Sequence, residues 1–149
     1  RVRSSAASDV YKRQALEKVL NLLSSEENEI GTLVTQFERE EDLKKEQFVK
    51  AVCNLSGSET ESYAENFVRK QGDYYSKNLF HHIGIYSFKR DALEKFVTLS
   101  QTDREKNEKL EQLRALDNNM KIKIGLIDFL PLGVDTPDDL EEIRKILSK

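Results

Sequence analysis

The chain has 149 residues, enough for one domain with a real core, of which 34% are charged and 38% hydrophobic, with a formal net charge of −3. That balance lacks the basic footprint of a nucleic-acid binder, and no apolar run reaches the length of a membrane span. One cysteine, Cys53, excludes an internal disulfide and a cysteine-based zinc site and fits a reducing cytosol.

Residues 1–14 are Arg- and Ser-rich, have no apolar period, and do not match the patterned residues from Ala15 onward. They resemble translated sequencing-adapter sequence and lack the apolar centre of a secretory signal. They are expected to be a non-native or disordered leader to one domain at 15–149. Ala15 to Ser24 carries Leu16, Val19, Leu20 and Leu23 at helical spacing. Ile30 to Phe37 is rich in β-branched residues and predicts a buried strand. Glu38 to Glu46 is charged enough to be a short surface helix or a solvated loop. Gln47 to Cys53 predicts a second strand, with Phe48 and Lys50 on one face and Val49 and Ala51 on the other.

Turn chemistry at Asn54 to Ser58 leads into Ser62 to Lys70, read as helical with Tyr63 and Phe67 on one side, and Gln71 to Tyr75 breaks it again. Leu79 to Ser87 predicts a strand in which Ile83 and Ile85 share one face and His82, Gly84 and Tyr86 the other. Lys89 to Leu99 predicts an amphipathic helix built on Ala92, Leu93, Phe96 and Val97. Thr102 and Glu105 form a capping box that opens a helix to about Leu116, buried through Leu110, Leu113 and Leu116. Lys121 to Ile127 predicts a further strand. In Gly133 to Leu140, Thr136 reads as a helix N-cap, Pro137 as the first helical residue, and Asp138 and Asp139 as acids facing the helix dipole. Asp135 is left over, just outside the helix start. There a carboxylate either meets a metal or substrate or belongs only to the turn. The alternation of helices and strands argues for an α/β layer fold with a substantially parallel sheet.

His82, Gly84 and Tyr86 are the best constellation that geometry offers: two hydrogen-bonding side chains flanking a glycine that leaves space at the backbone. The same face can equally lie under a helix, with His82 bonded to a carbonyl. His81 points the other way, to a surface or edge position. Glu111 and Gln112 sit in a helix away from its leucine stripe, where a solvated face explains them, and spacing does not separate Glu111 from Glu105 or Glu108. No Gly-rich phosphate loop, nucleophile elbow or His/Glu zinc spacing occurs. Cys53 reads as a buried, inert thiol.

Three blocks, HHIGIYSFKRDALEKFV, EKLEQLRAL and GVDTPDDLEEI, resemble in order and spacing the 3-deoxy-D-manno-octulosonate cytidylyltransferases, the CMP-Kdo synthetases of Gram-negative bacteria. Upstream, Phe48-Val49-Lys50-Ala51-Val52 stands where that family has a Val-Lys-Val-Val run. The resemblance implies the C-terminal, sugar-binding and dimerising part of a Rossmann-like nucleotide-diphospho-sugar transferase fold, with a mixed, mostly parallel sheet and flanking helices. It implies a cytoplasmic enzyme of lipopolysaccharide biosynthesis that joins CTP and the sugar acid Kdo into CMP-Kdo and pyrophosphate, with Mg²⁺, as a homodimer when full length. By the same resemblance, His82, Tyr86, Glu111 and Gln112 contact the sugar and Asp135 ligates magnesium. Such roles suit the residues, since Mg²⁺ prefers carboxylates, phosphates and waters and a polyhydroxy acid needs many hydrogen-bonding groups.

The departures are specific. The family's N-terminal half, with its phosphate-holding loop and its second metal aspartate, has no counterpart. Lys45-Glu46-Gln47 replaces an Asn-Pro-Asn, and a Ser-Arg-x-x-Ile-Pro segment is not recognisable in Tyr63 to Lys70, where Arg69 could substitute for its arginine. The chain is therefore expected to behave as a fragment with little or no turnover alone. Two other readings stay open: a non-catalytic module for dimerisation or partner binding, and a cytidylyltransferase for another sugar acid such as a sialic acid.

Overall fold

Extended, β-branched segments place two strands at the centre of the molecule: β1 (Ile30–Thr35) and the ten-residue β5 (Leu79–Phe88), paired antiparallel from Ile30 opposite Phe88 to Thr35 opposite His81. The computed structural model describes residues 6–128. The expected helix start at Gly133 to Leu140, with Asp135, and the helix after it lie outside those residues. Four shorter strands complete one sheet: β2 (Lys50–Val52), β3 (Glu61–Tyr63), β4 (Asn66–Val68) and β6 (Ile122–Leu126), in the order β3-β6-β1-β5-β2-β4.

The sheet is mixed, as expected, but not mostly parallel. Among the described residues only β1 with β6 runs parallel, and the other four pairings are antiparallel. The reason lies in Ser62 to Lys70, expected to be helical and instead extended. Tyr63 ends a strand paired to β6, and only Ala64 and Glu65 separate it from β4, which is paired to β2 at the opposite edge of the sheet. The Ala64 amide donates to the Ile122 carbonyl at 2.9 Å, and the Glu65 amide to Val52 at 2.8 Å. The sheet therefore curls until one two-residue link joins its edges, and helix propensity yields to these backbone bonds.

Helix α1 (Ala6–Asn21) begins nine residues ahead of the expected Ala15, so part of the presumed leader is helical. Its buried stripe is Ala15 and Val19, continued by Leu22 just past its end, packed on Leu33, Ile83 and Ile127, while Leu20 is 56% exposed. The spacing i, i+4, i+7 fits a helix face as well as the leucine stripe does. The close approach of α1 to the sheet selects it. A Cβ on Gly31 would meet Ser87 Oγ at 2.5 Å and the Val19 carbonyl at 3.0 Å. Ser87 donates from that hydroxyl to Val19 at 2.6 Å, tying sheet to helix.

On the other face lie α2 (Arg90–Thr98), α3 (Asp103–Glu108) and α4 (Leu113–Asp117). Ala92 and Phe96 of α2 are buried, but Leu93 and Val97, expected beside them in the core, are 45% and 67% exposed. The predicted capping box is present: Thr102 Oγ1 accepts from the Glu105 amide, and Glu105 accepts from the Thr102 amide. The single helix expected after it is broken, because Lys109 adopts the left-handed conformation at φ 58°. No described helix is long and apolar enough to cross a membrane.

Glu105 joins the two short helices. Arg114 donates to both its oxygens, at 2.9 and 2.6 Å, and stacks its guanidinium over Phe96 at 5.0 Å. Arg114 first, and the Thr102 amide in lesser part, hold the Glu105 carboxyl below its ordinary value of 4.5. A carboxyl lowered by folding stabilises the fold above its unfolded pKa, and that contribution fades as the pH drops through the folded value. The substitution Glu105→Gln should therefore cost about 2 kcal/mol at neutral pH, read by urea unfolding. The gap between wild type and variant should shrink below the ordinary carboxylate pKa of 4.5. A gap independent of pH would contradict the assignment.

Candidate functional site

Tyr86 stands on β5 opposite Thr32 of β1, on the sheet face that looks toward α2 and α4. Glu111 and Gln112 were expected mid-helix. The break at Lys109 instead places them on the turn between α3 and α4, with Gln112 as the N-cap of α4. That turn is held from below by Arg69, which donates to the Glu108 carbonyl at 2.9 Å, to Lys109 at 3.1 Å and to Glu46 at 3.3 Å. Arg69 is itself fixed at the end of β4: buried Lys50 donates to the Arg69 carbonyl at 2.5 Å and to that of Lys45 at 2.7 Å. Burial pushes the Lys50 amine below its ordinary value.

Tyr86, Glu111 and Gln112 meet around one cavity of about 270 Å³, whose other walls are Ile30, Phe88, Leu93, Phe96, Val97, Ala115 and Ile122. The two α2 residues exposed against expectation are thus part of its rim. A largely apolar hollow with a few convergent polar groups is the usual form of a small-molecule site. Burial, and next the Glu111 carboxylate, push the Tyr86 phenol well above its ordinary value, so it remains a donor. Glu111 supplies an acceptor and Gln112 both kinds of group. Glu105, which spacing could not separate from Glu111, is committed to Arg114 and the α3 cap.

His82 adjoins this group without lining the cavity. Its ring meets Tyr86 edge-on at 5.5 Å and Phe67 at 4.9 Å, and Nε2 lies 2.9 Å from the Thr32 hydroxyl, not at a carbonyl. Burial, with a smaller push from His81, drives its pKa down to about 3, so the imidazole is neutral at neutral pH. The strand alternation holds for Ile83, His82 and Tyr86. Ile85 keeps to the Ile83 side as expected, although the partner of β1 skips from Tyr86 to Ile83 between Thr32 and Leu33. Gly84 and Ile85 form a bulge there, and the space around Gly84 is open.

A larger groove of about 870 Å³ lies at the carboxyl ends of β1 and β6, with Thr35, Phe37, Asp42, His81 and Asp128 among its walls. His81, expected at a surface or edge, is stacked on Phe37 at 5.0 Å and packed against Phe48 at 5.2 Å. None of the four expected sugar-binding residues reaches this groove, so its size alone does not make it the site. Cys53 is buried, and burial pushes its thiol up to about 12, which leaves it inert as expected.

Two residues that serve the site were missed or left open in the sequence. Thr32 read only as a β-former, and Arg69 was no more than a candidate stand-in for a family arginine. No spacing signal marks either one. Among the described residues no group of three or more His, Cys, Asp or Glu side chains could hold a metal ion. Asp135, the expected magnesium ligand, lies outside the described residues.

Residues 9–122 match the family model described as cytidylyltransferase. The chain is 43% identical over 135 residues to the 3-deoxy-manno-octulosonate cytidylyltransferase of Rhizobium etli (strain CIAT 652), covering 91% of this chain and 53% of that protein. It is 42% identical over 134 residues to the protein of the same name from Paramagnetospirillum magneticum, covering 90% and 54% respectively. A solved structure of CMP:2-keto-3-deoxy-manno-octonic acid synthetase complexed with CTP superposes with a TM-score of 0.68 at 25% identity, over 91% of this chain and 56% of that one. The chain thus spans about half the length of the curated relatives it matches. With the mixed sheet and the family match agreeing over most of the chain, it belongs to the cytidylyltransferase family.

Proposed function

We propose that this chain is the sugar-acid side of a cytidylyltransferase that joins CTP and Kdo into CMP-Kdo and pyrophosphate, a step in lipopolysaccharide biosynthesis carried out in the cytoplasm. The observation that supports it most is the meeting of Tyr86, Glu111 and Gln112 around one cavity with His82 beside it. Kdo carries hydroxyls that need donors and acceptors in fixed places, and a neutral phenol, an amide, a carboxylate and a neutral imidazole supply both. The apolar walls exclude water and strengthen each of those bonds.

In the reaction the sugar's anomeric hydroxyl attacks the α-phosphate of CTP, and the bond from that phosphorus to the bridging oxygen breaks to release pyrophosphate. The chain's own residues bind and orient the sugar for that attack, which is where most phosphoryl-transfer catalysis arises. Magnesium, held by Asp135 together with groups outside the described residues, would neutralise the phosphates. The chain spans about half the length of its relatives, and on this reading it binds the sugar acid but, alone, turns it over little or not at all. Homodimerisation belongs to the same proposal.

Titration calorimetry of the chain with Kdo, and with a sialic acid as the control, tests this reading. Kdo should bind in preference, and Tyr86→Phe or Gln112→Ala should each weaken it about two- to tenfold, the worth of one hydrogen bond. Equal affinity for both sugars, or no effect of either substitution, would reject the assignment. Pyrophosphate release from CTP and Kdo by the chain alone should stay near background, and robust turnover would contradict the division of labour.

Arg69→Met leaves the Glu108 and Lys109 carbonyls without their donor. It should lower stability by about 2 kcal/mol and weaken Kdo about tenfold by releasing the Glu111–Gln112 turn. A variant that loses stability while binding Kdo normally would show that Arg69 does not position the turn.

A further inference from the structure

Thr32 is fully buried at the bulge between β1 and β5, and three groups compete for its hydroxyl. The Ile85 carbonyl lies at 2.8 Å, the Ile83 carbonyl at 3.3 Å and His82 Nε2 at 2.9 Å. A threonine hydroxyl has one proton to donate, whereas its oxygen can accept two bonds. Carbonyls only accept. The shorter and better bond to Ile85 takes the proton, and the oxygen is then left to accept from the imidazole. We infer that Thr32 fixes the tautomer of His82 as Nε2–H and leaves Nδ1 as the ring's bare acceptor.

The bulge is what makes this possible. The two extra residues, Gly84 and Ile85, turn the Ile83 and Ile85 carbonyls onto one threonine in place of a regular ladder. Among the described residues nothing donates to Nδ1. That nitrogen can accept a hydroxyl proton, and the imidazole that carries it meets the Tyr86 ring, which lines the cavity. Tyr86 then donates and His82 accepts, so adjacent groups on one strand face have opposite hydrogen-bonding character. The tautomer stands independently of any ligand. That the accepted hydroxyl belongs to a sugar acid rests on the reading proposed above. Thr32 acts through His82 and is therefore a positioning residue.

The test is a long-range ¹H–¹⁵N correlation spectrum of the whole chain labelled with ¹⁵N-histidine, at neutral pH and without ligand. His82 should show protonated Nε2 and unprotonated Nδ1. Thr32→Ser, which keeps the hydroxyl, should preserve that pattern, and Thr32→Val should give the Nδ1–H form or a mixture. An Nδ1–H pattern in the wild type overturns the inference, as does an unchanged pattern in Thr32→Val. Should Thr32→Val fail to fold, the wild-type and Thr32→Ser spectra decide by themselves. Adding Kdo separates the two claims. A shift at Nδ1 supports both, whereas the Nε2–H pattern with no response to Kdo keeps the tautomer and rejects the sugar-binding reading.

Discussion

The antiparallel pairing of β1 with β5 is the contact on which the rest depends. It carries the two larger of the three core clusters among the described residues. Leu33 and Ile83 belong to the one packed on α1, and Val34, Tyr86 and Phe80 to the one that includes residues of α2 and α4. Every other strand joins through it, β6 on the outer side of β1 and β2 on part of β5. The pairing also contains its own irregularity. At Thr32 the register slips by two residues, and the buried hydroxyl gathers the backbone groups that the slip would otherwise strand. The sheet face that carries Tyr86 and His82 is therefore built at the point where the β1–β5 register slips.

Around that face, charge is kept in pairs or at the margin. Glu105 is answered by Arg114, and Arg69 is used up on three carbonyls. Tyr86 in the cavity wall and His82 behind it are held neutral by burial. These hydrogen-bonding groups need no counter-ion, and Glu111 stands on the turn at the cavity wall. The positions of Glu111 and Gln112 rest on a chain of supports: Lys50 holds the Arg69 carbonyl, and Arg69 holds the end of α3.

Legibility in the sequence tracks how local each feature is. The strands at Ile30 and Leu79 and the Thr102–Glu105 cap are set by residues close together in the chain, and each is where its pattern placed it. The misreadings all involve partners far away in sequence. Tyr63 to Val68 is extended because it closes the curled sheet onto two strands it cannot foresee. Leu20 faces out because α1 is drawn in at Gly31. The helix break that presents Glu111 is held by an arginine about forty residues upstream, which no window on the helix contains. His82 and Tyr86 were visible as one strand face, but only the resemblance joined them to Glu111 and Gln112. The structure brings Tyr86, Glu111 and Gln112 to one cavity by a route that spacing does not encode.

The family match accounts for the sheet and helices, and Tyr86, Glu111 and Gln112 share one cavity. The most direct measurement is a crystal structure of the chain soaked with Kdo. The sugar acid should be seen between Tyr86 and the Glu111–Gln112 turn, with a hydroxyl within hydrogen-bonding distance of His82. Kdo bound instead in the groove at the carboxyl ends of β1 and β6, with the Tyr86 cavity empty, would contradict the account.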